Sequence, residues 1–280
     1  MSWAGLAAAR RRDARARLPF VMIGCTVGSV ARVDVDALAA WPQWITVTAD
    51  AVTLHADDPD TALATINTAL RKQGRVRAWR DEFFAITDPA TGRRLARTER
   101  AASRFWGTLT LGAHATGYVP DAHGRPLQIW IARRSPTKAT DPGMLDNLIG
   151  GGVPDGQTPL QTLVREGFEE AGLTPTQMTA ARPGRVIRLH RDIPEGLQFE
   201  DLHSYDLPLS PGTTPHNQDG EVASFDCLPV KQALARAASA DMTVDAALVM
   251  LEFALRHRLI DGEQAELLQL ASAHLWRSPD

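Results

Sequence analysis

Three glutamates crowded into five residues, Glu166, Glu169 and Glu170, carry the strongest chemical signal in the sequence. They belong to the stretch GGGVPDGQTPLQTLVREGFEEAGL, residues 150–173. Thr158 reads as an N-cap, Pro159 as a first-turn residue and Gln161 as the reciprocal partner of the cap, while Gly172 suits a left-handed stop. A helix is therefore predicted between Thr158 and Gly172. Spacings of three and four place the three carboxylates on one arc of it. Left to themselves they repel, by roughly 0.2–0.5 kcal/mol per exposed pair. Around a divalent ion they become hard oxygen donors suited to Mg²⁺ or Mn²⁺. Leu160, Leu163, Val164, Phe168 and Ala171 are expected to form the buried side. Gly167 sits in the middle of that side, at a cost of about 1 kcal/mol relative to alanine, and marks the expected close approach of a neighbouring backbone.

Groups that grip phosphate stand just before the glycine run. Arg133 and Arg134 offer bidentate contacts and Lys138 a point charge. Strict strand alternation would send one arginine to the site and the other to solvent. Asn147 either orients substrate or closes the Asp146–Asn147 turn, the turn being the plainer reading. Trp79 serves as a core anchor or as a stacking surface for a substrate ring. Other chemistries lack their signatures. The eight histidines show no HxH or HExxH spacing, the glycine run lacks GxxxxGK[ST], and no GxSxG or paired Cys/His arrangement occurs.

The 150–173 segment resembles the Nudix box, in which a glycine, five residues, a glutamate and seven residues precede Arg-Glu-apolar-any-Glu-Glu-any-Gly-apolar. Counting from Gly151, the match runs through Arg165, Glu166, Glu169, Glu170, Gly172 and Leu173, with Gln157 at the first glutamate and Gly167 at a larger apolar position. The runs WRDEFFAI, ARRSPTKATDPGMLDNLIGGG, DGEVASFDCLPV and FALRHRLI extend the likeness. They resemble the subgroup with an extra N-terminal domain, which includes the Nudix part of fungal thiamine pyrophosphokinases. The resemblance implies an α+β fold: a Nudix α/β/α sandwich with a mixed sheet, plus a small N-terminal α+β domain. It implies a hydrolase of a diphosphate joined to another group, using water and Mg²⁺ or Mn²⁺. By the same resemblance Glu166, Glu169, Glu170 and the carbonyl of Gly150 hold metal. Glu221 completes that set or takes the water's proton, and its plainer reading is a turn carboxylate. The favoured substrates are thiamine diphosphate and its oxy or oxo analogues. Oxidised nucleotides, nucleoside diphosphates linked to another group, and a non-catalytic binding module suggested by Gln157 are the rivals.

Around this centre the chain has 280 residues, 44% of them hydrophobic, and a balance of 30 basic against 33 acidic side chains. That balance of −3 argues against a partner that is a nucleic-acid polymer. No apolar run nears the roughly 20 residues of a membrane span. Two cysteines rule out a disulfide scaffold and fit a reducing, cytoplasmic setting. The Ala/Arg-rich stretch 7–17 reads as an N-terminal arm rather than a removable leader. Residues 71–104 hold ten Lys/Arg and four Asp/Glu, whereas 192–230 hold no Lys/Arg and eight Asp/Glu. Solvated faces account for this, as does an anion held between basic groups and acid-bound metal, with the acidic span supplying a pocket for a thiazolium cation.

Two domains are expected, 1–105 and 106–280. Strands are predicted at 20–27, 44–55 and 79–87 in the first, with a helix at 59–72 stopped by Gly74. In the second, strands are predicted at 108–119, 127–133, 185–190, 203–207 and 223–228, with closing helices near 243–257 and 262–276. The first domain covers the substrate pocket or mediates a homodimer.

Overall fold

The computed structural model describes residues 3–277. After a short helix α1 (Ala4–Ala9), a hairpin forms from β1 (Arg17–Met22) and β2 (Cys25–Ala31). The single strand expected over 20–27 is folded back on itself. Ile23 and Gly24 both adopt positive φ, 49° and 75°, the twist that two-residue hairpin turns require. The 44–55 stretch divides in the same manner into β3 (Ile45–Val47) and β4 (Val52–Leu54), with the Thr48 hydroxyl accepting from the N–H groups of Asp50 and Ala51. These strands form one sheet in the order β2-β1-β4-β3. The predicted helix α2 (Pro59–Lys72) is capped by Asp58, which accepts from the Thr61 N–H, and it buries Leu63, Ile66 and Leu70.

Only the end of 79–87 is strand. β5 (Phe83–Thr87) pairs with β6 (Arg94–Glu99), whereas Ala78 and Asp81 take positive φ of 58° each and hold the chain out of the ladder. The helix α3 (Ala102–Trp106) closes this unit, and Trp106 locks it. The indole is fully buried with its centroid 4.5 Å from Phe20, and its N–H donates to Asn67 Oδ1 at 2.8 Å. Asn67 in turn donates to the Thr98 hydroxyl at 2.9 Å, so one buried amide ties α2 to β6 and α3.

The second unit follows through β7 (Leu109–Pro120), β8 (Pro126–Arg134), β9 (Leu145–Asp146), β10 (Ile149–Gly152), α4 (Pro159–Ala171) and α5 (Pro175–Met178). It continues with β11 (Arg182–Ile193), β12 (Gly196–Pro208), β13 (Val222–Pro229), α6 (Val230–Ala238), α7 (Val244–Arg256), α8 (Gly262–Ser272) and β14 (Trp276–Arg277). The main sheet runs β13-β8-β7-β12-β11-β14. β7 and β12 are parallel and the other pairs antiparallel, which makes it the expected mixed sheet. Period-two alternation distributes side chains to two cores. Leu202 joins α6 and α7 on one side, while Tyr205 and Leu207 join α4 on the other. The result is the α/β/α sandwich. The last helix ends earlier than predicted, and Trp276 pairs with Ile187 as an edge strand instead.

Trp3, Leu6 and Ala9 pack in the core of the second unit with α7, although they precede the first unit in sequence. The stretch 7–17 is thus docked structure at its start. Cores fix the expected mutational outcome: Trp106→Ala should cost about 3–5 kcal/mol, as for other buried aromatics, measured by denaturant unfolding. His190 offers a pH readout. It stacks on Phe199 with centroids 4.3 Å apart, and burial, then the charges of Arg12 and Arg188, push its pKa down to about 4. A depressed imidazole leaves its contribution intact above the unfolded value near 6.5 and removes it as pH falls towards 4. His190→Gln should therefore flatten the stability profile between those values.

Candidate functional site

Helix α4 forms as its signals predict. Thr158 accepts from the Gln161 N–H, the Gln161 side chain accepts from the Thr158 N–H, and Gly172 takes φ 65°. Its buried face is rotated from the expected one. Leu163 and Ala171 are buried, but Leu160 and Phe168 are 48% and 52% exposed. Glu166 and Glu170, at 8% and 5%, point inward in their place. Two carboxylates occupy the interior because the strand they face, β10, is nearly all glycine. A Cβ on Gly151 would lie 2.5 Å from Glu166 Cδ and 2.7 Å from its Cγ. Gly167 makes room for side chains rather than the expected backbone, since a Cβ there would meet Met178 Sδ at 2.7 Å and Ile149 Cδ1 at 3.2 Å.

Each acidic group is matched to a cation of the protein. Arg165 donates to Glu166 at 2.8 Å and to Glu169 at 2.7 Å. Lys138, with its side chain only 8% exposed, donates to Glu221 and stands 3.6 Å from Glu170. Glu221 also faces Arg80 at 3.5 Å, and Glu170 accepts from the Gly150 N–H at 2.9 Å. Burial, reinforced by the charge of Glu166 and opposed by Lys138, pushes the Glu170 pKa up to about 8. Glu166 is raised as well, by burial first, against the pull of Arg165. Glu221 behaves oppositely: burial disfavours its charge, but the hydrogen bond and charge of Lys138 outweigh burial and hold it below the usual carboxylate range.

A niche of about 10 Å³, the size of one water, lies between Lys138, Arg134, Asp146, Asn147, Glu170 and Glu221. Arg134 is the arginine that reaches it, donating to Asp146 at 2.7 Å, while Arg133 holds the loop through the Gly143 carbonyl. Asn147 does more than close a turn. It is 2% exposed, its Oδ1 pairs with His114 Nδ1 at 3.0 Å, and its Nδ2 has no partner among the described residues. The site thus holds an unsatisfied buried donor beside carboxylates that resist ionisation. Both conditions suit an anion accompanied by divalent metal: the metal supplies positive charge that favours the ionised forms of Glu166 and Glu170, and an anion oxygen accepts from Asn147. The hard oxygen donors fit Mg²⁺ or Mn²⁺. Among the described residues no three His, Cys, Asp or Glu side chains already converge as a metal cluster, since Arg165 and Lys138 stand among them.

Other expected contributors stand elsewhere. Gln157 is exposed and accepts from the Thr162 hydroxyl, touching none of the carboxylates. Trp79 lies in a separate cleft of the first unit. The acids of 192–230 do not gather into a pocket. Glu200 faces Arg104, Asp201 faces Arg188 and Asp206 faces Arg256 and His257, because alternation turns Asp201 to the opposite face and six residues of strand, about 20 Å, separate Glu200 from Asp206. Arg71, Arg75 and Arg77 are occupied by Trp79, Asp34 and the Gly74 carbonyl respectively. The arginines that the sequence did not single out, Arg80 and Arg100, are those that turn towards the site. Arg100 bonds Glu82 at 2.8 Å, and its charge reaches Glu166 and Glu221. Phe84 fills the space beside Gly152, where a Cβ would approach its ring to 2.5 Å.

Gly151→Ala should therefore displace Glu166 without removing any charged group. The expected result is a loss of about 100-fold in turnover with a folded circular-dichroism spectrum, since a displacement near 1 Å has that effect on catalysis.

Comparison with known proteins matches residues 111–248 to the NUDIX domain and residues 4–110 to a domain of unknown function, DUF4743. The chain is 34% identical over 227 residues to Nudix hydrolase 20, chloroplastic, of Arabidopsis thaliana, covering 80% of this chain and 60% of that protein. It is 34% identical over 211 residues to Nudix hydrolase 24, chloroplastic, of the same plant, covering 75% and 57%. The chain thus spans less than two thirds of the length of these relatives. Among solved structures, DR0079 from Deinococcus radiodurans aligns with TM-score 0.43 and 21% identity, covering 68% of this chain and 99% of that one.

Proposed function

Because the chain carries a Nudix domain joined to a DUF4743 domain, we propose that it is a metal-dependent hydrolase of small organic diphosphates. The observation that carries this reading is the helix trio Glu166, Glu169 and Glu170, of which Glu170 meets Glu221, Lys138 and the unpartnered Asn147 amide around one niche. Glu166, Glu169 and Glu170 would hold Mg²⁺ or Mn²⁺, helped by Gly150 and Glu221. A metal there neutralises phosphate charge and makes bound water a nucleophile near neutral pH.

The chain's own groups divide the remaining work. Lys138 and Arg134 present positive charge to the diphosphate, and Asn147 Nδ2 donates to one of its oxygens. Glu169, the most exposed of the three helix carboxylates, faces the solvent from which water arrives. Glu221, ionised beside Lys138, either completes the metal set or takes the proton of that water. No nucleophilic side chain is needed and no covalent intermediate forms. Thiamine diphosphate and its oxy or oxo analogues are the substrates proposed first, on the likeness of the WRDEFFAI and DGEVASFDCLPV runs. Derivatives of nucleoside diphosphates are the second class.

A panel of both classes, assayed with Mg²⁺ or Mn²⁺ on wild type and Glu169→Gln in parallel, tests the reading. Wild type should release phosphate or a monophosphate, a chelator should abolish release, and the variant should lose on the order of 100-fold or more in kcat. Purified protein that turns over no diphosphate in the panel sinks the proposal.

A further inference from the structure

The niche beside Glu170 owes its polarity to a residue outside its lining, His114. Asn147 borders the niche together with Asp146, Glu170 and Glu221, and its side-chain amide has two ends of opposite sign. The carbonyl end is taken: Oδ1 lies 3.0 Å from His114 Nδ1. An amide oxygen only accepts, so Nδ1 carries the proton of that bond. The other end, Nδ2, is buried and has no partner among the described residues. A ring with a bare Nδ1 would demand the reverse, with Nδ2 towards the imidazole and the carbonyl oxygen towards Asp146, Glu170 and Glu221. Ionised carboxylates repel such an oxygen and attract an N–H, so the surroundings favour the arrangement observed.

The fold is built to hold this histidine. His114 stands on β7 opposite Gly150 of β10 and is 8% exposed. A Cβ on Gly150 would lie 2.8 Å from both Cε1 and Nδ1 of the ring, so any larger residue would displace it. β10 is thus cleared at two successive positions, Gly150 for His114 and Gly151 for Glu166. Asn147 is fixed through its backbone as well. Its N–H donates to Asp146 Oδ1 at 2.9 Å, and Asp146 accepts in turn from Arg134 at 2.7 Å. With the backbone and Oδ1 both engaged, Nδ2 is the end left to the niche, whose volume of about 10 Å³ admits one oxygen.

We infer that His114 is a positioning residue: its Nδ1–H holds Asn147 with Nδ2 presented to the niche, which reserves that end for an oxygen of the diphosphate rather than for a cation. The inference rests on the diphosphate-hydrolase reading and adds to it the group that separates the anion's place from the carboxylates. Without His114 the amide is free to turn its carbonyl inward.

Two measurements test it. Heteronuclear NMR of histidine-labelled, metal-free protein, with the His114 signal assigned by its loss in His114→Asn, should show Nδ1 protonated. A bare Nδ1 overturns the proposal. Calorimetry follows the binding of methylenediphosphonate, a diphosphate analogue that resists hydrolysis, in the presence of Mg²⁺. Asn147→Ala and His114→Ala should each weaken binding about tenfold, and the double variant no further, because both remove the same hydrogen bond. His114→Asn, whose amide N–H stands near the place of Nδ1–H, should restore most of the affinity. His114→Gln, whose N–H stands near the place of Nε2, should not, and this contrast serves if His114→Ala does not fold. Losses that add in the double variant, equal binding by His114→Asn and His114→Gln, or a wild type that does not bind the analogue overturn the proposal. These binding effects without turnover of any diphosphate would remove the hydrolase reading and keep the role of His114. Turnover with binding indifferent to His114 would do the reverse.

Discussion

Two carboxylates buried on one helix, Glu166 and Glu170, impose the condition that the rest of the molecule satisfies. Buried like charges are costly unless paired or hydrogen-bonded, so everything within reach of α4 answers them. β10 presents glycines to admit their side chains, its Gly150 N–H caps Glu170, and Arg165 and Lys138 hold the acids from two sides. The same balance suits the candidate site to a cation. A pair of acids whose charge is only partly countered by lysine and arginine has a vacancy for stronger positive charge, which a divalent ion supplies.

The boundaries of α2, α4 and α7 were readable in the sequence because their signals are local: a capping side chain, a proline in the first turn, a glycine or a run of apolar spacing. The mixed sheet and its flanking helices followed from the family likeness. Three features were not readable, each for a physical reason. The runs 20–27 and 44–55 conceal turns because β-branched Ile23 and Thr48 read as strand residues, and tertiary pairing imposes the fold-back. The face of α4 was misjudged because periodicity counts Phe168 as buried and Glu166 as exposed, an order that the glycines of a strand distant in space reverse. Arg80 and Arg100 gave no signal, since their place beside the carboxylates depends on how one unit docks on the other.

That docking brings a small α+β unit beside the candidate site. Phe84 sits over Gly152, Phe83 bonds the loop that enters α4, and Arg94 spans Asp60 of α2 and Asp155 of that loop. The acids expected from 192–230 serve another purpose. Paired with Arg104 and Arg256 they fasten the sheet to α3 and α7, and paired with Arg188 they tie β12 to β11.

The placement of α1 has a mechanical consequence. Trp3, Leu6 and Ala9 are embedded beside α7, and the chain leaves that core, builds the first unit and re-enters through β7. The smaller body is consequently moored at both ends, like a bead on a closed loop rather than a flag on a pole. Swinging about a single tether is denied to it. Exchange of one module for another during evolution would likewise demand two simultaneous junctions, which gives selection a reason to keep the pair together.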